Sequence, residues 1–301
     1  MRAKTRKRRL PGTLGNYFYI FILPALVIYV VFSILPFLYT FYFSFTDYTD
    51  INPVNLHFVG ITNYLKVFQN NLMTAGIRNS VIYAVLITGF QTLVGLPLAV
   101  ILNGKLKTRN MMRAVYFFPA VFSALIIGYL WNFILSSSDY GLINNLLHRL
   151  GFPTFNFFTA DRALFSVIFT QVWQWAGWAM VIFLANLQGI SPDLYEAADI
   201  DGAGGMKKFL YVTLPLMCPS VKIVIVTGLI GGMKVFDIIY AMTSGGPGNA
   251  TETVMTVMMK RGISDGFYSS GAAFGVCFFI IVVVLSSMVT KLMGKWSDAI
   301  S

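Results

Sequence analysis

Only 11% of this 301-residue chain is charged, so the side chains able to do chemistry are few, and they gather in two places. The first is EAADIDGAGGMKKFLYVTLP, Glu196 to Pro215, where Glu196, Asp199 and Asp201 follow Asp193. Acids at that spacing can pair with a cation or cap a helix of another protein. The second is LFSVIFTQVWQWAGWAMVIFLANL, residues 164–187. There Gln171, Gln174, Trp175, Trp178 and Ile182 are spaced 3, 1, 3 and 4, which puts them on one helix face. Amides bond hydroxyls and aromatic rings cover C–H faces, which is the chemistry of holding a sugar. The same residues would equally serve helix packing, with glutamine bonds across it.

Other chemistry finds little support. His57 and His148 stand alone, and Cys218 and Cys277 fall in or beside apolar runs, so they suit small buried hydrophobes better than a metal site or disulfide. No nucleophile–base arrangement or acidic cluster indicates an enzyme. A phosphate-cradling Walker A loop needs Gly-Lys followed by Ser or Thr. Gly104-Lys105 is followed by Leu106 and Gly294-Lys295 by Trp296, so the chain is not expected to hydrolyse ATP. Energy must come from a partner or an ion gradient.

The elements that position these residues belong in a bilayer. The chain is 56% hydrophobic with a mean hydropathy of +0.70, whereas soluble domains carry about 25% charged residues. Runs of roughly 20 apolar residues span a membrane. Six are expected: 17–43, 79–102, 112–135, 164–187, 217–240 and 271–292. The apolar run after the basic head MRAKTRKRRL is too long for a signal peptide core, so the first helix is expected to be retained. The chain divides into a basic tail, 1–16, a six-helix domain, 17–293, with a loop at about 189–215, and a short tail, 294–301. The segments between spans, 46–78, 136–163 and 242–270, are too small for a catalytic domain with its own core.

Orientation follows lysine and arginine. Arg2, Lys4, Arg6, Lys7, Arg8, Arg9, Lys105, Lys107, Arg109, Arg113, Lys207, Lys208, Lys222, Lys291 and Lys295 fall on one side. Lys66, Arg78, Arg149, Arg162, Lys260 and Arg261 fall on the other, and Lys234 is intramembrane. Fifteen against six makes both termini and the 189–215 loop cytoplasmic. The net charge of +10 is thus a topology signal with some attraction to anionic lipid, not a nucleic-acid footprint.

Within the loop, Ser191-Pro192-Asp193 predicts a helix start, with a hydroxyl cap, proline in the first turn and an acid near the positive end of the dipole. Gly202, Gly204 and Gly205 predict its end. Residues 206–212 form a second amphipathic piece, and Leu214-Pro215 turns the chain into the fifth span. Elsewhere, Lys234 and Asp237 could pair across three residues, and Asn132 is expected to serve packing. Gly228 and Gly232 make a small-xxx-small pair.

The pattern Glu196-Ala197-Ala198, Gly202, Val212, Leu214-Pro215 resembles the signature of permease subunits of bacterial ABC importers, with Val212 where isoleucine is commoner. Phe58-Val59-Gly60-Ile61-Thr62-Asn63-Tyr64, Phe236-Asp237, Tyr240, Gly245-Gly246-Pro247 and Thr251-Glu252-Thr253 extend the resemblance over nearly the whole chain. They indicate the carbohydrate branch and its maltose-transporter-type first permease, without the large external domain of the enteric protein. The resemblance implies an all-α integral membrane fold of the type I importer class in the bacterial cytoplasmic membrane.

It also implies that Glu196, Ala197, Ala198, Asp199 and Gly202 form a coupling helix gripped by an ATPase. The implied partners are a second homologous permease, two ATPase subunits that hold Mg-ATP, and an extracytoplasmic solute-binding protein; this chain itself would carry no cofactor. Substrate contacts are implied at Gln174, Trp175, Trp178, Gly228, Gly231, Gly232 and Val235, to which Gln171 and Asp237 are added from the residues themselves. The glycines depart from the polar and aromatic residues expected there. Alternatives are a permease for another solute, such as glycerol phosphate, or a self-contained ion-coupled carrier, for which Asp237 is the sole acid within the spans.

Overall fold

The computed structural model describes residues 12–49, 56–138 and 140–300, with side chains from residue 21 to residue 294. The basic head MRAKTRKRRL, expected to set orientation, lies outside the described residues. An antiparallel bridge joins Thr46 to Phe58 and Thr49 takes part in another; otherwise the described residues are helices and their connections.

The first helix, α1, runs Gly12–Tyr29, widens into a π-turn at Val30–Ile34 and continues as Leu35–Phe43. The π-turn lies just ahead of Pro36, which has no N–H to return to the preceding turn. No residue of Phe21–Phe43 is buried; Phe37 packs on Phe279 of the last long helix, and most of the rest of this span is left open to lipid or another subunit. The next helices are α2, Thr62–Gln69, and α3, Asn71–Asn103. The third expected span is not one helix. It is α4, Arg109–Phe117, then a 3-10 turn at Phe118–Val121, then α5, Ala124–Leu135, bent by 98°. Pro119 lies in that turn, and Phe122 and Ser123 are extended. A proline here removes a ladder donor, which the count of apolar residues did not register.

Beyond it come α6, Leu142–Arg149, α7, Ala163–Leu187, and α8, Pro192–Ile200. Helix α9 spans Gly205–Leu216 with a π-turn at Phe209–Thr213, again just ahead of a proline, Pro215. It meets α10, Cys218–Met233, at 65°. The fifth expected span also ends early. Lys234, Val235 and Phe236 interrupt it before α11, Asp237–Thr243. That break separates Lys234 from Asp237, and no ion pair joins them among the described residues. Helix α12, Val254–Val257, and a π-turn at Met258–Ser264 lead into α13, Tyr268–Ile300. Among the described residues four helices are long and apolar enough to cross a membrane, and counting each bent pair as one span gives six.

Helix α3 is the common wall. Its Tyr83 and Ile87 join α5, α7 and α11 in one apolar cluster. Met73 and Ala84 join α12 and α13 in a second, and Ala99 and Leu102 join α7 and α10 in a third. Glycine permits the closest approaches. A Cβ on Gly95 would stand 2.9 Å from that of Ala179, and one on Gly128 would stand 2.5 Å from that of Ala241. Small residues let helix backbones meet where lipid offers no hydrophobic drive.

Candidate functional site

Three helices enclose a cavity of about 260 Å³. Gln171, Trp175 and Trp178 reach it from α7, and Thr227, Gly228, Gly231, Gly232 and Val235 from α10 and the break after it. Tyr83, Ile87 and Gln91 reach it from α3. Trp175 and Trp178 meet edge to face with centroids 6.2 Å apart. The hydroxyl of Tyr83 and Oε1 of Gln171 are buried without a protein partner, whereas Nε2 of Gln91 donates to the Trp175 carbonyl at 3.3 Å. The walls therefore combine polar side chains, Tyr83, Gln91, Gln171 and Thr227, with aromatic faces, and none of the lining side chains is charged. Such a surface suits an uncharged polyhydroxylated solute.

The glycines have separate jobs. A Cβ on Gly228 would meet Thr88 Oγ1 at 2.9 Å, and one on Gly232 would meet the Ala84 backbone at 2.7 Å. Both let α10 lie against α3, as their spacing suggested. A Cβ on Gly231 would meet nothing within 4 Å, so this glycine faces open space.

Two of the residues named from sequence do not line the cavity. Gln174 is fully buried and donates to the Phe122 carbonyl at 3.0 Å, in the break between α4 and α5. A broken helix frees carbonyls that lipid cannot satisfy, and Gln174 satisfies one of them. Asp237 is exposed at the start of α11. Asn132 likewise serves structure, donating to the Met242 carbonyl at 2.5 Å near the end of α11. Sequence reasoning missed the contribution of α3, although Tyr83, Ile87 and Gln91 recur every four residues and Gln91 is polar within a span.

The 189–215 stretch forms two short helices with a bend between them. Ser191 Oγ accepts from the Asp193 amide at 3.3 Å and Pro192 begins α8. Gly202 takes the left-handed conformation, φ +72°, while the Ala203 amide returns to the Ala198 carbonyl at 2.9 Å. Lys208 on α9 pairs with Asp199 on α8 at 2.6 Å, and the Tyr195 and Thr213 hydroxyls meet at 3.1 Å. These two contacts fix the angle between the pieces. Glu196 and Ala197 are exposed and Ala198 is half-buried. Ile200, Met206 and Tyr211 are 87%, 71% and 77% exposed, so apolar side chains flank the acid, as on a surface that docks another protein.

Similar proteins share both the sequence and the shape. The chain is 34% identical over 286 residues to the arabinooligosaccharides transport system permease protein AraP of Bacillus subtilis, covering 92% of this chain and 88% of that one. It is 34% identical over 274 residues to the trehalose/maltose transport system permease protein MalF of Thermococcus litoralis, covering 91% and 92%. A chain from the crystal structure of a bacterial ABC transporter involved in the import of the acidic polysaccharide alginate superposes with a TM-score of 0.83 at 21% identity, covering 94% of this chain and 96% of that one. That likeness establishes the all-helical fold expected from the sequence. Residues 91–299 match the family model described as the binding-protein-dependent transport system inner membrane component. A helical membrane chain that lines a cavity between its spans and shares these relatives over nine-tenths of its length belongs to the inner membrane components of binding-protein-dependent transport systems, as an ABC importer permease.

Proposed function

We propose that this permease forms half of a path for a neutral sugar or oligosaccharide and is driven by a separate ATPase gripping residues 191–215. The observation that carries the sugar reading is the cavity between α3, α7 and α10, with its polar Tyr83, Gln91, Gln171 and Thr227, its tryptophan pair and its lack of charge. Both sequence relatives are named for di- or oligosaccharide transport. A glycerol phosphate path would need a cation near the solute, and none lines this cavity. The ion-coupled alternative needs a buried coupling acid at the solute, and Asp237 is exposed outside the cavity.

In this reading Mg-ATP closes a pair of ATPase subunits on α8 and α9. Glu196 and the exposed Ile200, Met206 and Tyr211 supply the grip, and the Asp199–Lys208 pair passes the movement to α10. A second, homologous permease covers the unburied face of α1, and an extracytoplasmic solute-binding protein delivers sugar to the far side. Both termini lie in the cytoplasm of a bacterium. The test is to purify the tagged chain in mild detergent and identify its companions by mass spectrometry. A second six-span permease with an ATPase is the expected result. A homo-oligomer reproducible across detergents would overturn the assembly.

A further inference from the structure

Beside the cavity, the loop after α11 folds into a buried polar knot that solute contact leaves unexplained. The two N–H groups of one amide, Asn79 Nδ2 on α3, are shared among three carbonyls of this loop: Asn249 at 3.1 Å, Ala250 at 3.1 Å and Glu252 at 3.0 Å. Its neighbour Ser80 accepts from the Val254 amide at 2.9 Å. Thr256 Oγ1 donates to Glu252 Oε2 at 2.6 Å. The Glu252 carboxylate is buried and paired with Lys260, which also donates to the Ser244 carbonyl at 3.0 Å. Gly245, at φ +87°, lies against that carboxylate where no Cβ would fit. A buried ion pair is weak evidence of a gain in stability, so what the loop touches matters more.

It touches the cavity wall. Thr253 Oγ1 donates to the Val235 carbonyl at 3.1 Å, in the break where the helical ladder no longer serves that carbonyl. Val235 lines the cavity, and so does Tyr83, one turn beyond Asn79 on the same helix. The knot therefore ties one wall to the other. Helix α3 grips the loop through Asn79 and Ser80, and the loop holds Val235 through Thr253.

Resting on the reading of this cavity as the solute path, we propose that Asn79 and Thr253 are positioning residues. They act through the Glu252 loop to set the separation of Tyr83 and Val235, and so the size of sugar the path accepts. Neither residue touches solute.

The test uses the full reconstituted transporter with its binding protein saturated in turn by a short and a longer sugar. Initial uptake rates are compared for Asn79→Leu, Thr253→Val and Thr253→Ser. The long-to-short ratio should shift by about threefold or more in the first two, the scale of one net hydrogen bond, and Thr253→Ser should restore it. The ratio does not depend on how much transporter assembles. Should Asn79→Leu fail to assemble, the two Thr253 variants decide. An unchanged ratio in Thr253→Val with both rates lowered would overturn the positioning role and leave the knot purely structural. Val235→Phe intrudes on the cavity directly. If it alters uptake while the Thr253→Val ratio is unchanged, only the positioning role falls. If Val235→Phe leaves both sugars unaffected, the cavity is not the path, and both readings fall.

Discussion

Gln174 on α7 donates to the carbonyl of Phe122, 52 residues earlier, at 3.0 Å. This bond joins an amide that resembled a sugar ligand to a carbonyl freed by a broken helix. Gln174→Leu should therefore act on stability. Leaving a part-buried carbonyl in the bilayer unpaired costs about 1 kcal/mol or more. The variant should show a lower thermal midpoint in detergent and uptake reduced only in proportion to the assembled protein. Normal stability with lost uptake would return Gln174 to the solute path.

Gly231 and Gly232 are neighbours with opposite surroundings. An alanine at Gly232 meets the α3 backbone, and overpacking of this kind costs about 1–3 kcal/mol. An alanine at Gly231 enters open space in the cavity. Thermal melting should separate the two, with Gly232→Ala destabilised and Gly231→Ala unchanged. Equal midpoints would mean that α10 and α3 do not approach so closely.

Trp178→Ala removes half of the edge-to-face pair at the cavity wall. Uptake in vesicles should fall about threefold or more while subunit levels stay near wild type, since an aromatic pair is worth about 0.5–1.5 kcal/mol beyond its buried area. An unchanged rate would assign the ring to packing.

Glu196 is exposed on α8, so Glu196→Lys should leave folding intact and abolish solute-stimulated ATP hydrolysis in the assembled transporter. Gly202→Ala acts differently. Its space is open, but φ is +72°, and the left-handed conformation costs an ordinary residue about 1–2 kcal/mol. That strain should shift the angle between α8 and α9 and lower the number of sugars moved per ATP. Wild-type coupling in both variants would remove residues 191–215 from the role proposed for them.

Some of this was legible from local rules alone. Apolar runs announced a membrane protein, because no aqueous fold of this length hides so much hydrocarbon. Ser191, Pro192 and Gly202 marked the ends of α8, since caps and left-handed turns depend on the few residues around them. The shared face of Gln171, Trp175 and Trp178 followed from helical periodicity, and all three reach the cavity.

The tertiary structure decided the rest. Hydropathy averages over about 20 residues and does not register one proline, so the breaks at Pro119 and Lys234–Phe236 were read as continuous spans. Periodicity places a side chain on a face but not opposite a partner. Gln174 points at the Phe122 carbonyl only because α4 and α5 bend apart there. The wall supplied by Tyr83, Ile87 and Gln91 exists because Gly95, Gly228 and Gly232 let α3 lie against α7 and α10. The sequence by itself determined that the chain belongs in lipid and where its charged helix begins and ends. Which polar groups were left free for a solute depended on which backbone carbonyls the broken helices had to satisfy first.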